Sequence, residues 1–162
     1  MIFITLGSQK FQFNRLLKAV DELVEKGIIK EQVFAQSGYS DYKPQYYRFK
    51  QFLDRDEFIE MEDNANIVIT HGGTGVIVGA VKKRKKVIAI PRLAMYGEHV
   101  DDHQLQIVEQ FKNRNLICGL NDCDELRWAL DYVKDHVFND YNSNTMSIIA
   151  NIERFIEGNN HD

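Results

Sequence analysis

Ile67-Val68-Ile69-Thr70 runs without a break into His71-Gly72-Gly73-Thr74-Gly75, and the apolar segment from Val76 to Val81 follows directly. Four apolar or β-branched residues in a row read as a strand buried on both faces. The glycines after it mark a tight turn, and the apolar run beyond predicts a helix lying back on the same sheet. Strand, glycine turn and helix in that order form part of a βαβ unit. The rest of the chain repeats the alternation.

Upstream, Ile2-Phe3-Ile4-Thr5-Leu6 predicts a first buried strand, followed by a loop at Gly7-Ser8-Gln9-Lys10 and a helix from about Phe13 to Lys26. Leu16, Leu17, Val20, Leu23 and Val24 give that helix its apolar stripe, and Gly27 ends it. Val33 to Gln36 predicts a second strand, Ser37 to Asp41 a turn, and Tyr46 to Phe49 a third strand. An acidic helix starts near Asp54 and stops before Asn64. Downstream, Val87 to Ile90 is a strand halted by Pro91, and helix returns from about Glu98 to Asn113. A short strand at Leu116 to Cys118 and helices at Asp122 to Lys134 and Ser143 to Glu157 complete the order. This is the α/β class: a Rossmann-like, doubly wound parallel sheet with helices on both faces, expected as one domain over residues 1–158 with a polar tail at 159–162. In such sheets ligands bind beyond the carboxyl ends of the strands, which selects the loops at Gly7, Gln36, Phe52, His71 and Pro91.

Composition narrows the function classes. With 162 residues, 44% of them hydrophobic, the chain is sized for one core. A formal net charge of -4 argues against a nucleic-acid partner, because such partners call for a basic surplus. Cys118 and Cys123 are the only cysteines, too few for a disulfide framework and without companions for a zinc site, which points to a reduced, cytoplasmic protein. The apolar start breaks at Gly7 and has no basic flank, unlike a signal peptide. No stretch reaches the roughly 20 apolar residues that span a bilayer, so membrane association is expected to be peripheral.

The chemistry concentrates in two places. In His71-Gly72-Gly73-Thr74-Gly75, small residues between a strand and a helix let backbone amides approach an anion, and the helix dipole favours negative charge. A diphosphate fits; a tight turn with no ligand is the plainer alternative. The loop has neither the Gly-Lys-Ser/Thr ending of a P-loop nor dinucleotide-binding spacing. Glu98-His99-Val100-Asp101-Asp102-His103-Gln104 holds six polar residues in seven positions, suited to hydrogen-bonding sugar hydroxyls. On a helix His99 and His103 would face one way, which raises a metal site, while Asp101 could simply cap the helix. Spacing supplies no third ligand, so no metal is expected.

Lys82-Lys83-Arg84-Lys85-Lys86 reads either as a contact for anionic headgroups or as a solvated helix end. Tyr39, Tyr42, Tyr46, Tyr47 and Phe49 form an aromatic cluster, either partner-facing or ordinary packing. Trp128, with Leu126 and Leu130 nearby, reads as structural.

These motifs resemble the C-terminal domain of glycosyltransferase family 28, in particular the short stand-alone subunits of bacterial capsule and exopolysaccharide synthesis. The chain is also similar to the eukaryotic catalytic subunit that adds the second sugar, N-acetylglucosamine, to dolichol diphosphate. The resemblance runs from Ile2 to about Ile156. It rests on Ile4-Thr5-Leu6-Gly7-Ser8, Gln36-Ser37-Gly38, Thr70 to Gly75, and Pro91-Arg92 followed by Gly97 to Gln104.

The resemblance implies half of a GT-B enzyme that binds a UDP-sugar as substrate, needs no cofactor or metal, and transfers a hexose with inversion to a lipid-linked acceptor. By the same resemblance, Gly7, Ser8 and Gln9 border the diphosphate, the backbone at Phe52 and Leu53 meets the uracil, and His71, Gly72, Gly73, Thr74 and Gly75 hold the phosphates. Asp102, His103 and Gln104 lie near the donor sugar, with Glu98 and His99 shaping that wall. His71 is the imidazole to consider for catalysis, although its place beside the glycines suits phosphate contact better than proton abstraction, which leaves the general base to the partner as the alternative. The chain departs from the family at Gly79, where a ribose-binding Glu is usual, and at Val76, where a small hydroxyl residue is common. The implied partner is a membrane-anchored, acceptor-binding subunit that brings this domain to the inner face of the membrane; self-association through the cleft face is a further possibility. A non-catalytic docking subunit is the alternative, and a metal hydrolase or phosphatase a more distant one.

Overall fold

Ile2–Thr5 (β1), Val33–Gln36 (β2), Arg48–Lys50 (β3), Ile67–Thr70 (β4), Lys86–Ala89 (β5) and Cys118–Gly119 (β6) hydrogen-bond into one sheet, every neighbouring pair parallel. The structure, a computed structural model, describes residues 1–142 and Arg154. The expected helix at Ser143 to Glu157 and the tail beyond it lie outside the described residues, apart from Arg154, which is helical. Strand order is β3-β2-β1-β4-β5-β6, so the sheet grows outward in both directions from the β1–β4 pair. That pair is the topological switch point, where loops leave in opposite directions and open a crevice.

Parallel neighbours need crossover connections: Asn14–Glu25 (α1), Arg55–Asn64 (α2), Thr74–Lys82 (α3) and His103–Asn113 (α4) lie in four of them, the connection from β2 to β3 contains no helix, and Leu126–Asp135 (α5) follows β6. Alternation along the strands assigns each helix to a face. Ile2, Ile4, Ile67, Ile69, Ile88 and Ile90 pack with Leu16, Leu17 and Val20 of α1 and with Leu126, Leu130 and Val133 of α5. Phe3, Val68, Val87 and Ala89 point the other way, onto Ile77 and Val81 of α3 and Val108 and Phe111 of α4, with Phe58 and Met61 of α2 at the margin. Asp54 and Glu57 form a reciprocal capping box that starts α2, and Gly27, at φ 71°, terminates α1 as the sequence suggests.

Most boundaries match the sequence reading, with four differences. β3 sits at Arg48–Lys50 and not at Tyr46 to Phe49, because Asp21 captures the backbone at Gln45 and Tyr46 before the strand can begin. α4 starts at His103 and not near Glu98; the residues between are held in a loop by contacts described below. β6 pairs at Cys118–Gly119, after buried Leu116 and Ile117. Trp128 is not core packing: it is 56% exposed and stacks on Tyr132 at 4.8 Å, so it lies outside the buried stripe of Leu126, Ala129, Leu130 and Val133.

The aromatic cluster divides along the same physical lines. Tyr47 is tucked in with its hydroxyl donating to Leu17 O at 2.8 Å, whereas Tyr39 and Tyr46 remain exposed. The basic run is tied down locally. Lys83 bridges Glu62 and Asp63, Lys85 donates to Asp63 O, and Lys86 donates to His136 O, which fits a helix end more than a headgroup contact.

Asp21 is the least expected core group. Its buried carboxylate accepts from Tyr42 Oη at 2.7 Å and from the amides of Gln45 and Tyr46, both at 2.9 Å. The Tyr42 hydroxyl is correspondingly pushed up to about 12, first by that hydrogen bond. Asp21→Ala leaves these donors without their acceptor and is expected to lower stability by about 2–3 kcal/mol, measured by urea unfolding. An unchanged midpoint would show that the 39–47 segment is ordered by something else.

Candidate functional site

At the carboxyl end of the sheet, the loops after β1 and β4 meet over the switch point. His71, directly after β4, is buried, and its ring fills the space between two glycines. A Cβ on Gly7 would lie 2.9 Å from His71 Nε2, and one on Gly73 would lie 2.8 Å from the same atom. Gly7 also has φ 73°, where side chains are strained. Both glycines therefore make room for the imidazole, a demand separate from any approach of a ligand.

Gln104, in the first turn of α4, closes the other side of the ring. Its Oε1 accepts from the backbone amides of Gly72 and Arg92, both at 3.0 Å, and its Nε2 lies 3.2 Å from His71 Nδ1. Gly72 is pressed against this residue: a Cβ there would come within 2.7 Å of Gln104 Cβ and 3.0 Å of Gln104 O. The Gly72 amide is thus turned inward onto Gln104, and Gln104, only 2% exposed, has its carbonyl oxygen committed inside the fold.

The amides that remain open begin one residue later. α3 starts after Gly73, which makes no side-chain cap bond, and its first turn contains no acidic residue. The first amides of a helix have no intrahelical acceptor and sit at the positive end of its dipole. Gly75 is exposed and nothing lies within 4 Å of where its Cβ would be. Gly73, Thr74 and Gly75 so present an uncapped helix N-terminus to open space.

Positive charge backs this surface. Arg92, directly after Pro91, is 1% exposed; its Nη2 donates to Leu6 O at 2.7 Å and to Phe11 O at 3.3 Å, which holds both ends of the Gly7 to Lys10 loop. Its Nε and Nη1 have no hydrogen-bond partner among the described residues. Burial lowers its pKa to about 10. Burial first, then the Arg92 charge, brings His71 down to about 3, so the imidazole is neutral at pH 7.

The polar cluster before α4 divides into separate jobs. Glu98 is fully buried and receives Arg15 through two bonds at 2.9 and 3.1 Å, while its Oε2 also accepts the Leu93 amide at 3.0 Å. It braces the loop to α1 from inside. Asp102 accepts the Ala94 amide at 2.8 Å and so closes the loop around the short 3-10 turn Ala94–Tyr96. Asp101 accepts the His103 amide at 3.1 Å from one residue before the N-cap, which is Asp102 and makes no side-chain cap bond, so Asp101 is not the cap residue that its position suggested. The Asp101 carboxylate is held below the usual range first by its hydrogen bond with the His103 ring. His99 packs its ring against Phe11 at 4.8 Å and against His103 at 4.6 Å. His99, Asp101 and His103 each bring one ligand atom to within 4.8 Å of the others, a donor set able to take a divalent metal although two of them lie before the helix.

The remaining expected residues flank this centre. Ser8 and Gln9 are exposed on the loop that Arg92 anchors. Leu53 is half-buried, and its amide donates to Gln36 Oε1 at 3.3 Å. Gly79 borders Glu62, whose Oε1 would be 3.8 Å from a Cβ at that position and whose Oε2 pairs with Lys83 at 3.0 Å. Two residues had no role in the sequence reading: Arg15, which organises the Glu98 loop, and Arg92. The signal for Arg92 was its place, a cation immediately beyond a strand at the ligand-binding edge.

Comparison with known proteins bears on the family and the fold. The model of the glycosyltransferase family 28 C-terminal domain matches residues 1–155. Two solved structures superpose on the chain. Spinosyn forosaminyltransferase SpnP has 18% identity and a TM-score of 0.54, covering 96% of this chain and 39% of its own. The glycotransferase of kitacinnamycin has 14% identity and a TM-score of 0.54, covering 94% of this chain and 38% of its own. At these identities the likeness is one of fold, and this chain spans under half the length of either protein. A search of curated protein sequences returns no match.

Two outcomes follow from the packing. Gly72→Ala drives a Cβ into Gln104 backbone and is expected to destabilise by about 1–3 kcal/mol, while Gly75→Ala, facing open space, is expected to change chemical unfolding little; similar losses at both positions would contradict this. His71 adds a pH dependence. The unfolded imidazole takes up a proton near pH 6.5, but the folded one stays neutral down to about 3. Its contribution is complete above the unfolded value and is lost as pH falls between the two. His71→Gln is therefore expected to lose less thermal stability than the parent between pH 7 and pH 4, and parallel profiles would refute a buried neutral imidazole.

Proposed function

The chain belongs to the glycosyltransferase family 28 C-terminal domain family, and from that membership and the site geometry we propose that it is the UDP-sugar-binding subunit of a two-component inverting glycosyltransferase. The observation that carries the reading is the uncapped N-terminus of α3 at the sheet's switch point, backed by buried Arg92 and a neutral His71. Open amides, a helix dipole and a nearby cation suit a diphosphate. The same groups would stabilise the charge that develops on the leaving diphosphate during direct displacement at the anomeric carbon.

A GT-B active site lies between two Rossmann-like halves, and the region matched here is well under half of either solved transferase. In the proposal a membrane-anchored partner supplies the acceptor half, and the acceptor is a lipid-linked sugar in polysaccharide synthesis. Met95 at 77% exposure and Val100 at 76% stand on the loop between β5 and α4, apolar surface of the kind an opposing domain would cover. No helix among the described residues is long and apolar enough to cross a membrane, consistent with attachment through a partner. His71 is buried, and burial with the nearby Arg92 charge lowers its pKa to about 3, which makes it a weak base for the proton of an acceptor hydroxyl. The proposed base therefore belongs to the partner.

One observation favours a second reading, a docking subunit that no longer binds nucleotide. Gly79 offers no side chain, and the neighbouring Glu62 carboxylate is engaged by Lys83. A missing charge-assisted hydrogen bond is worth about 1.5–3 kcal/mol, or roughly one to two orders of magnitude in affinity.

Calorimetric titration of the purified chain with UDP and UDP-sugars separates the two. The donor-binding reading expects saturable binding without added divalent metal, weakened at least tenfold by His71→Ala. No binding either alone or with the acceptor partner present would leave the docking reading.

A further inference from the structure

Gln104 and His71 permit a sharper assignment, one that rests on the donor-binding proposal for its use though not for its geometry. A glutamine amide is ambiguous when its neighbours are unknown, but here both backbone groups facing one end are N–H donors. Gly72 N and Arg92 N, each at 3.0 Å, require an oxygen there, so the NH2 end faces His71 Nδ1 at 3.2 Å. An NH2 group can only donate. His71 Nδ1 must then be the accepting, bare nitrogen.

The rest follows from the ring. A neutral imidazole has one N–H, and with Nδ1 bare the proton is on Nε2. That nitrogen is the atom facing Gly7 and Gly73, the two loops that meet over the switch point. Burial and the nearby Arg92 charge keep the ring from taking a second proton.

We infer that Gln104 is a positioning residue that locks His71 as the Nε2–H tautomer, so that the imidazole serves as a neutral hydrogen-bond donor to the donor substrate's diphosphate in the Gly7–Gly73 crevice. Gln104 in this role acts through His71 and through the two backbone turns, after β4 and after β5, that its carbonyl oxygen joins.

Long-range proton–nitrogen correlation spectra of 15N-labelled protein at pH 7 read the tautomer directly, since bare and protonated ring nitrogens resonate far apart. The His71 signals are identified by their loss in His71→Gln. The expected pattern is a protonated Nε2 and a bare Nδ1. In Gln104→Glu the carboxylate still accepts from Gly72 and Arg92 but offers Nδ1 an acceptor in place of a donor, so Nδ1 is expected to gain a proton. Should that variant fail to fold, Gln104→Met, which gives Nδ1 no donor, is expected to show mixed tautomers. A protonated Nδ1 in the parent, or a pattern unchanged by both substitutions, would overturn the role of Gln104.

Inorganic pyrophosphate is the ligand probe. Its addition is expected to shift Nε2 and its proton while Nδ1 stays bare. If the tautomer is as expected but pyrophosphate and UDP both leave the ring unmoved, the diphosphate-donor role of His71 is overturned, while the nucleotide-binding reading stands or falls on the calorimetric titration alone and with the partner. A wrong tautomer with normal UDP binding would remove only the positioning role.

Discussion

One side-chain amide joins the pieces of the site. Gln104 ties the turn after β4 to the turn after β5 through its oxygen and meets the buried imidazole through its nitrogen. Because it comes from the first turn of α4, it also fixes where that helix can start. Remove the tie and two glycine-bearing turns lose their common anchor, the His71 ring loses its Nδ1 partner, and the crevice between Gly7 and Gly73 loses its floor. Buried polar groups of this kind give the fold specificity only when every member is satisfied, as the Gln104 oxygen is here.

Around that tie the charges are layered. Arg92 fastens both ends of the Gly7 to Lys10 loop from beneath, and the Arg15–Glu98 pair fastens the loop after β5 from the side. Asp122 receives the far end of Arg15 at 3.0 Å, which extends the brace to the start of the last described helices. The glycines are needed because backbone, imidazole and amide are packed closely, while only Gly75 and the first turn of α3 look outward. Roles are thus divided along five consecutive residues: Gly72 turns its amide inward, Gly73, Thr74 and Gly75 form the rim, and His71 lies between, with Nδ1 on Gln104 and Nε2 toward Gly7 and Gly73.

Much of this was legible in the sequence because it is local. Continuous apolar or β-branched runs at Ile2 to Leu6 and Ile67 to Thr70 mark strands buried on both faces, and the His71 to Gly75 turn marks a loop at the carboxyl end of the sheet. What escaped depends on contacts far apart in the chain. Glu98 looked like the first turn of a helix until Arg15, 83 residues away, was seen to hold it in a loop. The internal partners of Gln104 were equally hidden, because its oxygen accepts from Gly72, 32 residues away. β3 was misplaced because all three of its residues are exposed, which leaves no hydrophobic pattern to read. Trp128 has apolar neighbours in sequence but projects to the side of the helix they do not share.

A crystal structure of the chain soaked with UDP tests the central claim most directly. The account requires the diphosphate at the N-terminus of α3, on the Gly73 to Gly75 rim and within hydrogen-bonding reach of His71 Nε2. UDP seated elsewhere, for example in the cavity of about 360 Å³ lined by Met1, Gln32, Phe34 and Arg48 at the opposite edge of the sheet, would contradict it.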